Sequence, residues 1–188
     1  MKREIIITSL ILGLVLSCQP NNRDLKNESA DKDARKSEVL DTTNQDRYSI
    51  IEKDSILILP FEIAINLSPK AKDKILLDHE TIIVDVSLTG EPKVSTPPHF
   101  FAENGLFYVA SARKEISYGQ NAKFDQIRFS KKVYNELSDK DINITVFVYS
   151  GRKSSEKNLL DCEVIYDKIS NMVNKTHTIN SKLIYGDD

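Results

Sequence analysis

The sequence predicts a mainly β protein: a single antiparallel β-sandwich of about seven strands with one short helix, set behind a leader and a tether. Three observations carry that expectation. Short apolar runs with period-two alternation recur through residues 48–188, turn-forming residues separate them, and a single stretch opens with clear helix-start chemistry. At 188 residues the chain has room for one core plus segments that belong to no domain.

Taken in order, residues 56–65 form a β-rich apolar run interrupted by Pro60, which cannot donate a ladder hydrogen bond and so predicts an edge or a bulge. Ser68-Pro69 supplies the N-cap and first turn of a short helix ending near Leu77. In residues 81–89 the side chains of Ile82, Val84, Val86 and Leu88 share one face, the pattern of a half-buried strand. Residues 106–112, 115–118 and 123–129 are shorter candidates. Residues 142–149 alternate cleanly, and residues 160–166 and 178–185 complete the set. Two packed sheets follow from this pattern; the competing fold is an α+β arrangement with a second helix over residues 168–174.

The N-terminus reads differently. Lys2 and Arg3 precede an apolar run, residues 5–16, that ends in Val15-Leu16-Ser17-Cys18. Twelve residues rise only about 18 Å as a helix, short of the roughly 30 Å hydrocarbon core, so the run predicts a cleaved signal peptide and not a membrane span. Val15-Leu16-Ser17-Cys18 resembles the lipobox of bacterial lipoproteins, with Val15 where leucine is commonest and Leu16 bulkier than usual. The resemblance implies cleavage before Cys18 and acylation of that cysteine, giving residues 1–17 as signal peptide. Residues 18–47 are rich in Asn, Asp, Lys, Glu and Ser, and cannot bury enough apolar surface to offset the entropy of ordering them. They read as a disordered tether, and residues 48–188 as the sandwich domain. Gln19-Pro20 lacks an aspartate after the cysteine, which favours the outer membrane over the inner if the source has two.

Three segments together resemble small exported bacterial lipoproteins with a transthyretin-like or C2-like sandwich. They are Leu67-Ser68-Pro69-Lys70-Ala71 leading through Glu80-Thr81 into Ile82-Ile83-Val84-Asp85-Val86; then Thr89-Gly90-Glu91-Pro92; then Val148-Tyr149-Ser150-Gly151-Arg152-Lys153-Ser154 with Asn158-Leu159-Leu160-Asp161-Cys162. The likeness implies a fold and carries no activity. A C2-like sandwich raises calcium, which needs several convergent oxygens; residues 90–101 offer only Glu91, and residues 151–158 only Glu156, so no metal cofactor is expected. The small sandwich lipoproteins that recruit trans-envelope secretion machines match in tether, size and fold class, but share no diagnostic motif with this chain.

The side chains that could carry chemistry are few. His79, His99 and His177 lie far apart, none with a second metal ligand at helical or hairpin spacing. Asp78-His79-Glu80 reads as a surface turn, because consecutive side chains do not face one another. Ser154-Ser155-Glu156-Lys157 has the Ser-x-x-Lys spacing of some acyl-transfer enzymes without a helix to bring lysine to serine. Cys162, in an apolar run, reads as a small buried hydrophobe. Arg152 and Asp161 flank one loop, where a guanidinium-carboxylate fork could close it or Arg152 could face an anionic ligand.

The connection after Gly90 contains Pro97-Pro98-His99-Phe100-Phe101, whose stiff prolines would present two aromatics with little entropy left to lose. That suits a partner contact; the alternative is that Phe100 and Phe101 fold back onto the core. A formal net charge of -2 excludes the basic footprint of a nucleic-acid binder. The expected function is therefore a non-catalytic module in the bacterial envelope, held to the membrane by lipid on Cys18 and binding an envelope protein. The alternative is a small-ligand or glycan-binding module, which clustered exposed aromatics around a concavity would support.

Overall fold

The computed structural model describes residues 45–100 and 107–186. The expected signal peptide, Cys18 and residues 18–44 of the tether lie outside the described residues, as does Phe101.

The fold is mainly β, with three four-stranded sheets built around one buried core in a sandwich-like arrangement. Among the described residues there are twelve strands: β1 (Gln45–Asp46), β2 (Ser49–Ile51), β3 (Ser55–Ile58), β4 (Phe61–Leu67), β5 (Ile82–Gly90), β6 (Phe107–Ile116), β7 (Ala122–Phe124), β8 (Arg128–Ser130), β9 (Asn143–Ser150), β10 (Leu160–Cys162), β11 (Ile165–Lys168) and β12 (Thr176–Leu183). Three short helices join them: α1 (Pro69–Leu77), α2 (Lys131–Glu136) and α3 (Ile169–Met172). The sheets run β1-β2-β3-β8, β10-β12-β4-β7 and β11-β9-β5-β6.

Several expectations need correction in detail. The count rises from about seven strands to twelve because apolar runs that look continuous change sheet part-way. Pro60 divides residues 56–65, leaving β3 in the first sheet and β4 in the second, consistent with its missing N–H. Residues 123–129 and 160–166 are divided in the same way, into β7 and β8 and into β10 and β11. The sandwich is not wholly antiparallel, since β12 lies parallel to β4, with Thr176 opposite Glu62 and Ser181 opposite Leu67. Helix α1 stands where Ser68-Pro69 places it, Ser68 Oγ accepting from Ala71 N at 3.3 Å. Helix α2 was not expected, although Ser130 caps it through Val133 N in the same manner. Strand pairing begins at Gln45, inside the range expected to be tether.

The core follows the alternation. Ile82, Val84, Val86 and Leu88 of β5 and Ile144, Val146 and Val148 of β9 point inward to meet Phe61 and Ile63 of β4. Phe61 stacks on Phe124 with ring centroids 5.2 Å apart. Filling one face this way leaves the other phase of β5 and β9 outside, and that phase carries the site described next.

Candidate functional site

The register of the sheet β11-β9-β5-β6 fixes which side chains share its outer face. Ile83 lies between Glu115 and Tyr149, Asp85 between Arg113 and Phe147, and Ser87 between Ser111 and Thr145. Tyr166 of the edge strand β11 stands opposite Thr145. Phe147 is 47% exposed, Tyr166 71% and Tyr108 44%, so aromatic surface gathers here that the core does not use.

Polar contacts lock part of this surface. The Arg113 guanidinium holds Asp85 Oδ2, with Nε at 3.1 Å and a second nitrogen also bound, and lies 5.9 Å from the centre of the Tyr149 ring. The Tyr149 hydroxyl donates to the same Asp85 oxygen at 3.2 Å. Burial, and then the Asp85 charge, push the Tyr149 phenol above its usual range, while Arg113 and Arg152 pull the other way. Beside this group is a depression of about 570 Å³ lined by Ile83, Arg113, Phe147, Tyr149, Arg152 and Asn158.

The loop that brings Arg152 to this depression is pinned at both ends. At its start Gly151 N donates to Thr81 O at 2.7 Å, and a buried carboxylate, Glu80, gathers Lys153 and Ser154. Glu80 is 4% exposed. It accepts from Lys153 N at 3.1 and 3.0 Å, Ser154 N at 2.9 Å, Ser154 Oγ at 2.7 Å and its neighbour Thr81 N at 2.9 Å. Burial alone would raise this carboxyl, but the Ser154 and Lys153 amides, the Ser154 hydroxyl and the Thr81 amide outweigh it and hold the group at about 2. Lys153 also reaches Glu115 at 2.7 Å. At the far end Asn158 Oδ1 accepts from Ser150 N and Leu160 N, and Ser150 Oγ accepts from Leu159 N. Arg152, flanked by the bonded amides of Gly151 and Lys153, has φ +60°, a left-handed conformation that costs a non-glycine residue roughly 1–2 kcal/mol.

Comparison with family models, with curated proteins and with solved structures finds no match to this chain. The chemistry of the site must therefore be read from its own geometry.

The residues singled out in the sequence are dispersed. Arg152 and Asp161 do not form the expected fork: among the described residues no ion pair joins them, and Asp161 lines a different depression. Glu80 closes the loop instead, so Asp78-His79-Glu80 is more than a surface turn. His79 is exposed with φ +52°, and this turn directs Glu80 inward. Ser154 spends its hydroxyl on Glu80 in a loop with no helix, and a carboxylate held at about 2 is a poor base. Pro97 is half-buried, Pro98 and His99 are exposed, and Pro98–Phe100 forms a 3₁₀ turn. The base of that connection is stapled to the end of α2, with Lys93 N and Thr96 Oγ1 both donating to Glu136 O.

Asp161 and Cys162 line a second depression of about 580 Å³ beside the start of α1, with Asn66, Glu163, Asn180 and Lys182. Cys162 Sγ donates to Ser181 Oγ at 2.9 Å, and burial raises its pKa, so the group remains a thiol and a weak nucleophile. Among the described residues no group of three or more His, Cys, Asp or Glu side chains is placed to hold a metal. The aromatic face had a signal in the sequence: Phe147 and Tyr149 occupy the solvent phase of a strand whose other phase already fills the core. Nothing in the sequence marked Glu80 as buried.

Proposed function

We propose that this chain is a non-catalytic binding module, anchored in the bacterial envelope by lipid on Cys18, that engages another protein through the outer face of β11-β9-β5-β6. One observation carries the binding role: exposed Phe147, Tyr166 and Tyr108 share a face with Tyr149 and Arg113 and with a loop pinned at both ends. Tyrosine and arginine on a pre-ordered surface are the residues that dominate protein interfaces, because they bury large area with little entropy to lose. The anchor rests on the sequence, where Lys2 and Arg3, a twelve-residue apolar run and Cys18 follow in the order of a lipoprotein leader.

A glycan ligand is the second reading. Ser87, Thr145 and Ser111 form a hydroxyl row between the aromatic side chains, an arrangement that suits stacked sugar rings. A photo-crosslinking residue at position 147 tests the first reading in living cells, with Lys123 on another sheet as control. A protein adduct specific to position 147 is expected; equal adducts from both positions would refute the assignment of the face. Cys18→Ala tests the anchor: it should remove the acyl mass and release the chain from the membrane fraction, and an unacylated wild-type Cys18 would end that part of the proposal.

A further inference from the structure

We propose that the depression between Arg113 and Arg152 receives carboxylate side chains of an acidic peptide segment on the partner, with Arg152 as its fixed receptor. The inference rests on the binding role given to this face and names the chemistry recognised there.

Two guanidiniums border one depression, and their situations differ. Arg113 is already satisfied by Asp85 from within the sheet and leans on the Tyr149 ring. Arg152 is exposed and makes no ion pair among the described residues. The nearby Lys153 charge is matched by Glu115, and Arg113 by Asp85, which leaves Arg152 as the excess positive charge at this rim. Residues 151–158 as a whole carry Arg152, Lys153 and Lys157 against Glu156 alone. The complementary occupant is anionic.

The loop's construction makes the excess charge purposeful. A long side chain at φ +60° is held only because surrounding bonds over-determine the backbone, and here they come from the buried Glu80 carboxylate, from Thr81 O and from Asn158. Glycine would fit this backbone without strain, so an arginine at this position points to its side chain. Planar guanidinium matches carboxylate in a two-bond fork, and next door Arg113 already holds Asp85 through two nitrogens on one carboxylate oxygen.

The width of the site favours a peptide over a lone anion. Phe147 and Ile83 line the depression together with the two guanidiniums, and about 570 Å³ open to solvent fits alternating acidic and apolar side chains. A neutral sugar could accept hydrogen bonds from the guanidinium but would leave its charge unmatched.

The test uses the full chain in detergent and fluorescence polarisation with three labelled probes: a peptide of alternating glutamate and leucine, its lysine-leucine counterpart, and an oligogalacturonate. The glutamate-leucine peptide should bind, weaken as salt is raised, and lose about tenfold in affinity on Arg152→Gly, the loss expected for one charge-assisted fork. That variant relieves the left-handed strain, so its melting temperature should hold or rise, separating lost recognition from lost folding. Unchanged affinity in Arg152→Gly, equal binding of the lysine-leucine peptide, or preferential binding of the oligogalacturonate would each overturn the proposal. A position-147 adduct in cells with no binding of the glutamate-leucine peptide would also overturn it, while leaving the protein-binding reading of the face intact.

Discussion

Replacing Glu80 with glutamine is the sharpest perturbation of this structure, since it removes one charge and alters little else in shape. A carboxyl held at about 2 against an ordinary 4.5 corresponds, at about 1.4 kcal/mol per pH unit, to about 3 kcal/mol of stability at neutral pH. The group is 4% exposed, so solvent screening takes little away. Glutamine keeps one acceptor but turns an NH₂ toward the amides of Lys153 and Ser154, which are themselves donors. For a domain of this size about 3 kcal/mol lowers the melting temperature by roughly 10 °C. The sign of the pH dependence is fixed by the depressed value. The contribution is complete above pH 4.5 and disappears as pH falls through about 2, shrinking to about 1.4 kcal/mol near pH 3. Urea denaturation of wild type and Glu80→Gln at pH 7, 4.5 and 3 measures it. A gap under about 1 kcal/mol at pH 7, or a gap that does not narrow at pH 3, would refute the account of Glu80 as the loop's anchor.

Three further outcomes are expected. Gly151→Ala should destabilise the domain by roughly 1–3 kcal/mol in thermal melts, because a Cβ there runs into the Thr81 hydroxyl, which is tied to Glu115 at 2.6 Å. A chain beginning at Asn44, which keeps the pairing of Gln45 and Asp46 with β2, should melt within a few degrees of the mature chain; a drop of about 10 °C would show that the preceding residues pack on the domain. The double change Phe100→Ala and Phe101→Ala separates the two readings of the connection after Gly90: a partner contact would lose recovery in pull-downs with melting nearly unchanged, whereas rings that cap the core would cost about 3 kcal/mol each in thermal melts.

How much of this was legible in the sequence depends on the range of the forces involved. Alternation at Ile82, Val84, Val86 and Leu88 reported burial directly, because a side chain's face in a strand is set by its own position. The Ser68-Pro69 cap was equally local, and α1 starts there. What the sequence hid was pairing at a distance. Nothing near residue 176 reveals that Thr176 will lie parallel to Glu62, and nothing in residues 160–166 shows that Leu160 and Ile165 join different sheets. The candidate site follows the same division. Arg152 was visible beside a loop, either closing it on Asp161 or facing an anionic ligand, and the solvent phase of Phe147 and Tyr149 could be counted. Glu80 was not, since the loop it holds lies more than seventy residues away and binds it largely through the Lys153 and Ser154 backbone amides, which leave no mark in a sequence.

The place of β12 has a consequence for how the domain comes into being. It is an interior strand of its sheet, lying between β10 and β4, so residues 61–67 have no permanent neighbour on that side until residues 176–183 are available. Elongation therefore supplies one of the two interior strands of this sheet after the other three, and β4 must wait with an open edge. Assembly of this sheet waits for residues 176–183, and a break anywhere before residue 176 leaves a product that lacks the strand β4 pairs with.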